Sequence, residues 1–438
     1  MNIIIAGAGK VGFNLARTLS HSHSVTVIDR NAEALHRLQE TLDILPVHGN
    51  IEDPQTYRKL IDDEADLFIA VTNLDEANLI STLIVDDRIR VRRKIIRLRN
   101  QFFSRSSVLE KLGVDETVFP LDLSSRGVAS LLEYPRANNV KRFPDTELKL
   151  FSLRVAQPVE METLEADGIA VVGIEREKHF EIPEKGMRIE AGDLVYLFGE
   201  VEKIRGYCAR LEGETPWRIQ RCAVFGASDL GITIARTLVE NGMEVKILDE
   251  DPGLCRQADE ALEGEVLAIN CKYGTEEVFE EEGLERADMV IAATDNDEYN
   301  IIKCLEAREH GVRKVVAINN EMEYYKLMHS LGIVVVRGPK MAAFHRIVET
   351  IHSTRVLIER KYCGGAGTVF LRRVMEGGPL IGRQVKMLRQ KGIRSLVVRA
   401  ERLLFEVEEV GTLEEGDLFC VFALSEKADE VERWLNGL

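Results

Sequence analysis

Short, unbroken apolar runs alternate with longer amphipathic stretches through the first third of the chain. Ile3 to Ala6, Val25 to Ile28, Leu67 to Val71 and Lys94-Ile95-Ile96-Arg97-Leu98 are compact and rich in β-branched residues. Runs of this kind suit strands buried on both faces of a parallel sheet. Val11 to Leu19 and Asn78 to Arg88 carry helical spacing between them. The alternation predicts a doubly wound α/β sheet. A further helix is expected from Pro120 to Tyr134, closed by Pro135, and Arg136 to Pro144 reads as a linker. From Leu148 to Leu211 the pattern changes to short alternating strands with frequent turn signals. Its clearest parts are Ile182-Pro183 and the run Ile189-Glu190-Ala191-Gly192-Asp193-Leu194-Val195-Tyr196-Leu197-Phe198-Gly199, and it predicts a small α+β module.

The same order then returns. After a second linker, Gly213 to Pro216, Arg221-Cys222-Ala223-Val224-Phe225 opens another unit. Ile247-Leu248-Asp249 repeats Val27-Ile28-Asp29, and Met289 to Thr294 repeats Leu67 to Thr72. A glycine-rich joint, Gly364 to Gly367, leads to Leu413 to Phe422, which echoes Ile189 to Phe198. This is an internal duplication. The predicted fold class is α/β: two Rossmann-like doubly wound parallel-sheet domains, each followed by a small α+β domain. The expected boundaries are 1–140, 145–212, 218–355 and 366–438. Pro339 to Ile351, apolar at Met341, Phe344, Ile347, Val348 and Ile351, matches Leu121 to Leu132 in position, and both read as packing helices.

Candidate chemistry lies where the first strand meets the first helix. Gly7-Ala8-Gly9-Lys10-Val11-Gly12 follows the strand, and Asp29 ends the next one. Gly7 permits the tight turn, Gly9 lets backbone approach a phosphate, and Gly12 lets the helix pack close to the sheet. A helix starting near Lys10 points its N–H groups and positive dipole end at an anion, and Lys10 adds a point charge. Asp29 is spaced to accept from ribose hydroxyls, and its charge would repel a 2′-phosphate, which favours NAD or an adenosine nucleotide over NADP. Arg30 follows it. Thr72 and Asn73 end another strand on the same sheet edge and are secondary candidates; a turn with local side-chain bonds is the alternative.

In the second copy, Ser228 replaces the middle glycine and Asp229 stands where Lys10 stands. A carboxylate about 4 Å from a phosphate repels it by roughly 4 kcal/mol at an effective dielectric near 20. Asp249 remains for a ribose. An anionic nucleotide is therefore expected to bind the first copy far more tightly. Asn270-Cys271 is read as standing where the first copy has Gly49-Asn50.

Composition removes several alternatives. The net charge is −16, which argues against a general nucleic-acid grip. No apolar run approaches the roughly 20 residues that span a bilayer, and the start lacks the basic, extended pattern of a signal peptide. A cytoplasmic protein is expected. Seven cysteines without a C-x-x-C pair read as reduced core thiols, not disulfides or zinc ligands. The basic run Arg88, Arg90, Arg92, Arg93, Lys94, Arg97 and Arg99 reads as a solvated helix end, with nucleotide or subunit contact by Arg97 or Arg99 as the alternative. His21 and His23 read as loop residues, and the acidic runs at 280–282 and 408–409 as solvated faces.

Together, Gly7-x-Gly9-x-x-Gly12 with Asp29, Thr72-Asn73-Leu74-Asp75-Glu76-x-Asn78-Leu79, its later counterpart Thr294-Asp295-Asn296-Asp297-Glu298-x-Asn300-Ile301, Arg97-Leu98-Arg99-Asn100 and the duplicated order resemble a known family. The family is that of the cytosolic regulatory subunits of Trk potassium-uptake systems, within the RCK/KTN class. The likeness covers nearly the whole chain and is weakest in the last module. It implies a protein that binds NAD(H) or ATP/ADP as regulatory ligand without turnover. It also implies a homo-oligomer of four chains whose eight Rossmann units form a ring, peripheral to the membrane beneath a TrkH-type integral membrane potassium channel subunit. The small modules would be RCK-C regulatory domains. Lys10 takes the family's basic place after the second glycine, and Arg97 or Arg99 its arginine in the fifth-strand segment. The two helices at 121–132 and 339–351 would cross between neighbouring units. Competing readings are an NAD-dependent oxidoreductase and an RCK-type regulator of another cation transporter. Against the oxidoreductase, no His, Lys-Ser or Cys-His constellation accompanies the cofactor motif.

Overall fold

Asn2–Ala6 forms the centre of a six-stranded sheet, flanked by Ser24–Asp29 and Leu45–His48 on one side and by Leu67–Ala70, Lys94–Arg97 and Glu116–Val118 on the other. Every pairing in it is parallel. Successive side chains of a strand point to opposite faces, and both faces are covered. Ile3 and Ile5 join Val11, Leu15 and Leu19 of the helix Lys10–Leu19. Ile4 and Ala6 join Phe68, Val85 and Ile89 on the other face. This is why the strands read as continuous apolar runs. The chain leaves the central strand on one side first and the other later, so a crevice opens at the carboxyl ends of Asn2–Ala6 and Leu67–Ala70.

This computed structural model describes residues 1–436 apart from 59, 61–63, 133–138, 144–145, 178, 185, 212–217, 272–276, 353–356, 385–388 and 406. The chain divides into one unit of residues 1–126 with 337–351 and another of 127–336 with 352–438. In the first unit, the helix Pro339–His352 does not close the second Rossmann-like domain, as the boundary at 355 had it. It packs on the first sheet, with Ala343, Ile347 and Ile351 in that core. Arg346 bonds Glu116 at 2.7 Å, and Arg93 donates to the Thr350 carbonyl at 3.2 Å. Residues spaced by four specify an apolar helix face but not which sheet covers it.

In the second unit, Arg221–Phe225 is the central strand of the repeat sheet, ordered Leu267–Asn270, Glu244–Asp249, Arg221–Phe225, Met289–Ala292, Lys314–Asn319, Val334–Arg337. The pairings from Leu267–Asn270 through Lys314–Asn319 are parallel. Two small antiparallel sheets follow the Rossmann-like sheets in the chain. In the first, Leu194–Glu200 lies between Leu148–Arg154 and Ile169–Arg176. In the second, Leu418–Leu424 lies between Gly367–Arg373 and Ile393–Arg399. They share one core: Leu150, Ala170 and Phe198 of one meet Val369, Leu371 and Phe422 of the other, with the Phe198 and Phe422 rings 5.4 Å apart. Arg394, 1% exposed, donates from the second sheet to Glu165 at 2.6 Å and to the Val171 carbonyl.

Two linker readings change. Asn139–Arg142, expected in the linker, pairs with Leu148–Arg154 as an edge strand. Gly364 and Gly365, with φ of 61° and 88°, make a hairpin turn between Leu357–Tyr362 and Gly367–Arg373, inside the last module instead of before it. Positive φ suits glycine in either setting, so composition alone did not distinguish joint from hairpin. The linker at 213–216 lies outside the described residues. The helix expected to run to Tyr134 is Pro120–Ala129, and residues 133–138 lie outside the described residues too. The described cysteines 222, 255, 271, 304, 363 and 420 form no disulfide.

Both small modules use one buried device. Arg176 grips Asp193 at 2.9 and 2.7 Å, and Arg399 grips Asp417 at 2.9 and 2.8 Å. Each carboxylate also accepts the N–H that opens its turn, from Glu190 and Glu414 respectively. Burial pushes the Asp193 carboxyl up, but the Arg176 and Glu190 hydrogen bonds outweigh it and hold the group below its ordinary value. A depressed carboxyl contributes stability above its unfolded pKa and loses it as pH falls through the folded one. Asp193→Asn should therefore destabilise the protein by about 1–3 kcal/mol at pH 7. The deficit should begin to shrink below about pH 4, where the unfolded carboxyl takes up its proton, and disappear as pH falls through the lower folded value. Denaturant unfolding at pH 7 and pH 3.5 measures this, and an equal deficit at both would refute it.

Candidate functional site

The turn after the first strand is set by contacts that only glycine allows. Gly7 has φ +116°, and a Cβ there would meet Thr72 at 3.1 Å. A Cβ on Gly12 would sit 1.8 Å from the Gly7 carbonyl oxygen. Gly9, by contrast, has nothing within 4 Å of a Cβ position: space lies open above its backbone. Gly9 is the N-cap of Lys10–Leu19, and no side chain caps that helix. The helix therefore presents its N–H groups and positive end to the crevice.

Asp29 lines the crevice and also holds the turn. Its Oδ2 accepts the Ala8 N–H at 2.6 Å and its Oδ1 the Asn31 N–H at 2.7 Å. The carboxylate first ties the glycine turn to the second strand; a carboxylate has about four acceptor positions, so two remain for a hydroxyl. Thr72 likewise has a structural partner. Its N–H and hydroxyl both donate to the Asn78 amide oxygen, at 2.9 and 2.7 Å. The Asn78 amide donates in turn to the Thr72 carbonyl at 3.1 Å and the Arg97 carbonyl at 2.8 Å. Fully buried Asn78 thus joins two strand ends. The local-turn reading of Thr72 describes this geometry.

Arg97 is the most informative residue. It is 5% exposed, and its Nη1 donates to the Thr72 carbonyl at 3.2 Å and to Asn73 Oδ1 at 3.0 Å. Its Nε has no hydrogen-bond partner, and among the described ion pairs none includes it. Burial, followed by the like charge of Arg99, pushes the guanidinium below its ordinary value. A buried guanidinium stays charged and is costly without a counter-charge.

These groups line a crevice of about 360 Å³, with Gly9, Lys10 and Val11 at the helix start, Asp29, Arg30 and Asn31 at one wall, and Thr72, Asn73 and Arg97 at the other. Gly7 lines it as well. Ala8 and Gly12 do not. Ala8 is buried and its N–H belongs to Asp29, while Gly12 packs beneath Gly7. The Arg99 side chain is no part of the lining; its backbone N–H binds Asp75 at 2.8 Å beside the site. Of the two arginine candidates, Arg97 is the one in the crevice. Sequence reasoning missed Asn50, Ile51, Glu52 and Lys340 in the lining. Lys340 arrives on the helix Pro339–His352, 243 positions past Arg97 in the chain, and nothing in its local sequence ties it to this crevice.

The second copy keeps the backbone and loses the charge. Gly226 has φ +106°, and a Cβ on Gly231 would fall 1.8 Å from the Gly226 carbonyl oxygen. Asp249 accepts the Ala227 and Asp251 N–H groups at 2.7 and 2.9 Å, as Asp29 does in its own copy. The Asn300 amide bonds Thr294 and the Ile318 carbonyl, which places Ile318 at the position of Arg97. Asp297 binds the Asn320 and Glu321 N–H groups where Asp75 binds those of Arg99 and Asn100. With Asp229 at the Lys10 position, the second copy has replaced Lys10, Arg97 and Arg99 by Asp229, Ile318 and Asn320. The sequence reading had noticed the first of these replacements. The alignment of Asn270-Cys271 with Gly49-Asn50 also needs correction by one residue. Asn270 pairs with Asp249 as His48 pairs with Asp29, and the Cys271 N–H reaches the Asp249 carbonyl as the Gly49 N–H reaches that of Asp29.

The family model of the TrkA-N domain matches residues 3–120 and again 222–339. The Trk system potassium uptake protein TrkA homolog of Archaeoglobus fulgidus is 29% identical over 454 aligned positions, covering 99% of each chain. The Trk system potassium uptake protein TrkA of Vibrio alginolyticus is 25% identical, covering 98% of this chain and 96% of its own. Among solved structures, the GsuK RCK domain overlays with a TM-score of 0.60 at 17% identity, covering all of this chain and 95% of that one. The GsuK channel bound to NAD overlays with a TM-score of 0.61 at 17% identity, covering all of this chain and 79% of that one. At such identities the overlays establish a shared fold.

Proposed function

The chain belongs to the TrkA-N domain family, and from that premise we propose that it is the nucleotide-responsive regulatory subunit of a potassium-uptake system. It would act on a TrkH-type integral membrane subunit as a homo-oligomer of four chains, peripheral to the inner face of the membrane. No helix among the described residues is long and apolar enough to cross a membrane. The relatives' names support potassium uptake. A structural neighbour bound to NAD, and another bound to ADP, support NAD(H) or ATP/ADP as ligand.

The single observation that carries the reading is Arg97: a buried guanidinium with a spare Nε at the edge of a crevice that also receives an uncapped helix start. The opposite charge of Asp75 acts on Arg97 without a described ion pair, and a pyrophosphate would supply a counter-charge in contact. Gly9 would admit the phosphates, Lys10, Arg97 and Lys340 would pair with them, and the remaining acceptor positions of Asp29 would take ribose hydroxyls. Arg30, Asn73 and Val11 would complete the walls. Asp249 would keep its structural role in the second copy. The domain plan proposed is two nucleotide-type lobes and two RCK-C modules, with the modules beginning at the edge strands that start at Asn139 and Leu357.

The response would be mechanical. A ligand shifts such an assembly only through different affinities for its states. A tenfold difference per site is about 1.4 kcal/mol, so four equivalent sites supply roughly 5–6 kcal/mol. Isothermal titration of the full chain with ATP, ADP, NAD and NADH should find one tight anionic site per chain. Two equal sites, or binding that depends on Asp249 and not on Asp29, would overturn the assignment. Nucleotide-dependent association with a purified TrkH-type subunit tests the partner. Steady oxidation of NADH with a keto acid would favour an oxidoreductase instead.

A further inference from the structure

Three chemically distinct metal-ligating side chains meet in the second unit, far along the chain from one another. Glu175 lies next to the end of the strand Ile169–Arg176 of the first small module, His329 on the helix Tyr325–Ser330 of the repeat lobe, and Cys363 begins the hairpin turn of the last module. Cys363 Sγ is 3.2 Å from Glu175 Oε2, and His329 Nε2 is 3.9 Å from the same oxygen. All three ligand atoms lie within 4.8 Å of one another. Tyr196 adds a hydroxyl 3.4 Å from His329 Nε2.

From this geometry we propose that Glu175, His329 and Cys363 form a binding site for one divalent zinc-class ion. A tetrahedral ion with bonds of about 2.0–2.3 Å sets its ligand atoms roughly 3.3–3.7 Å apart. The 3.2 and 3.9 Å separations bracket that edge and the third lies within 4.8 Å, so side-chain rotations would draw the three atoms onto an ion. The donor set chooses the metal. A thiolate and an imidazole select zinc and its neighbours over magnesium or calcium, which prefer all-oxygen shells. Three protein ligands leave the fourth position to water or to the Tyr196 oxygen.

The surroundings suit the site. The Tyr325 ring stacks on His329 with centroids 6.3 Å apart and planes 13° from parallel, which orients the imidazole. Cys363 is buried, whereas the Glu175 and His329 side chains keep 16% and 24% exposure and leave an entry. Burial, with the Glu175 charge beside it, pushes the Cys363 thiol well above its ordinary value. Without metal, the S–H donates to Glu175. On binding, the thiol proton leaves to solvent, a sulfur–metal bond forms, and the ion's charge takes over the role of that proton. The consequence is mechanical: one ion would fasten together a strand, a helix and a hairpin contributed by three different modules.

Cobalt(II) reports the site directly, because a cobalt–thiolate bond adds a near-ultraviolet charge-transfer band. The metal-stripped full chain should bind one cobalt(II) per chain with that band, and zinc should displace it. Cys363→Ser should abolish the band. His329→Gln and Glu175→Gln should weaken zinc at least about 100-fold, since outer partners of a metal already contribute 10–100-fold. Glu175→Gln keeps a thiol acceptor and guards against misfolding of the cysteine variant, while Cys271→Ser should bind like wild type. Zinc should raise the melting temperature of the wild type and of Cys271→Ser and leave the other three unmoved. Absence of the band in a folded wild-type chain, or an unchanged band in Cys363→Ser, would overturn the proposal.

Discussion

Gly12→Ala should cost the first lobe its fold. The added carbon would lie 1.8 Å from the Gly7 carbonyl oxygen, with the carbonyl carbon at 2.9 Å. No rotamer relieves a clash between a Cβ and backbone, so either the helix Lys10–Leu19 lifts from the sheet or the glycine turn opens. Lifting the helix uncovers Val11, Leu15 and Leu19, all buried against Ile3 and Ile5. Burial of such side chains is worth about 1.5–3 kcal/mol each, so the expected loss exceeds about 4 kcal/mol, outside the ordinary range for a point substitution. Thermal unfolding should show it, together with loss of nucleotide binding. Two comparisons separate steric from functional effects. Gly9→Ala meets open space, so stability should stay within about 1 kcal/mol of wild type while the phosphate loses its approach. Gly231→Ala repeats the clash against Gly226, and should unfold the second lobe without touching the first crevice. A Gly12→Ala protein that melts like the wild type and still binds nucleotide would refute the account of this turn.

Arg97→Ile should weaken nucleotide binding by roughly 10–150-fold, the value of a charge-assisted hydrogen bond of about 1.5–3 kcal/mol. The second copy already carries isoleucine at the matching position, Ile318. The sign for stability is opposite to that for binding. Arg97 is buried with no described ion pair and an unpartnered Nε, and replacing such a charge by an apolar side chain is often neutral or stabilising. The Thr72 carbonyl keeps its bond from Asn78 after the change. The ligand-free variant should thus melt at or above the wild-type temperature, and the upward shift that nucleotide gives the wild type should vanish. Equal nucleotide affinity in the variant, or a ligand-free loss of several kcal/mol, would show that the guanidinium serves the fold and not an anion.

The strands and the glycine turn were legible because their causes are local. A strand buried on both faces must be apolar at every position, and Ile3, Ile4 and Ile5 say so directly. Gly7 and Gly12 are required by contacts among neighbours in sequence and the adjoining strand. Asp29 was legible as an acceptor for ribose hydroxyls, and its hydrogen bonds to the Ala8 and Asn31 N–H groups were not. Spacing places a carboxylate and says little about which donors reach it. Arg97 could not be separated from Arg99 by sequence, because residues two apart share a strand face; that the strand ends at Arg97 and the Arg99 N–H turns to Asp75 is decided by tertiary contacts. Asn78, which joins Thr72 to the Arg97 carbonyl, was quoted only as part of a motif, although its burial makes it the hinge of the site edge.

The repeat, the alternation of apolar runs and the surviving glycines determined two Rossmann-like lobes with two small modules, since period and turn chemistry are written residue by residue. The difference between the copies was half visible: Asp229 stands in the sequence, while the loss of Arg97 to Ile318 needs the register of Asn300. What only the tertiary structure decided is where distant surfaces meet. The helix Pro339–His352 crosses to the first sheet and brings Lys340 to its crevice. The two small sheets bury one common core, and Glu175, His329 and Cys363 converge. An apolar face or a polar tip declares that it wants a partner. Which of several equally apolar or polar partners it finds depends on packing across hundreds of residues, and no local pattern encodes that choice.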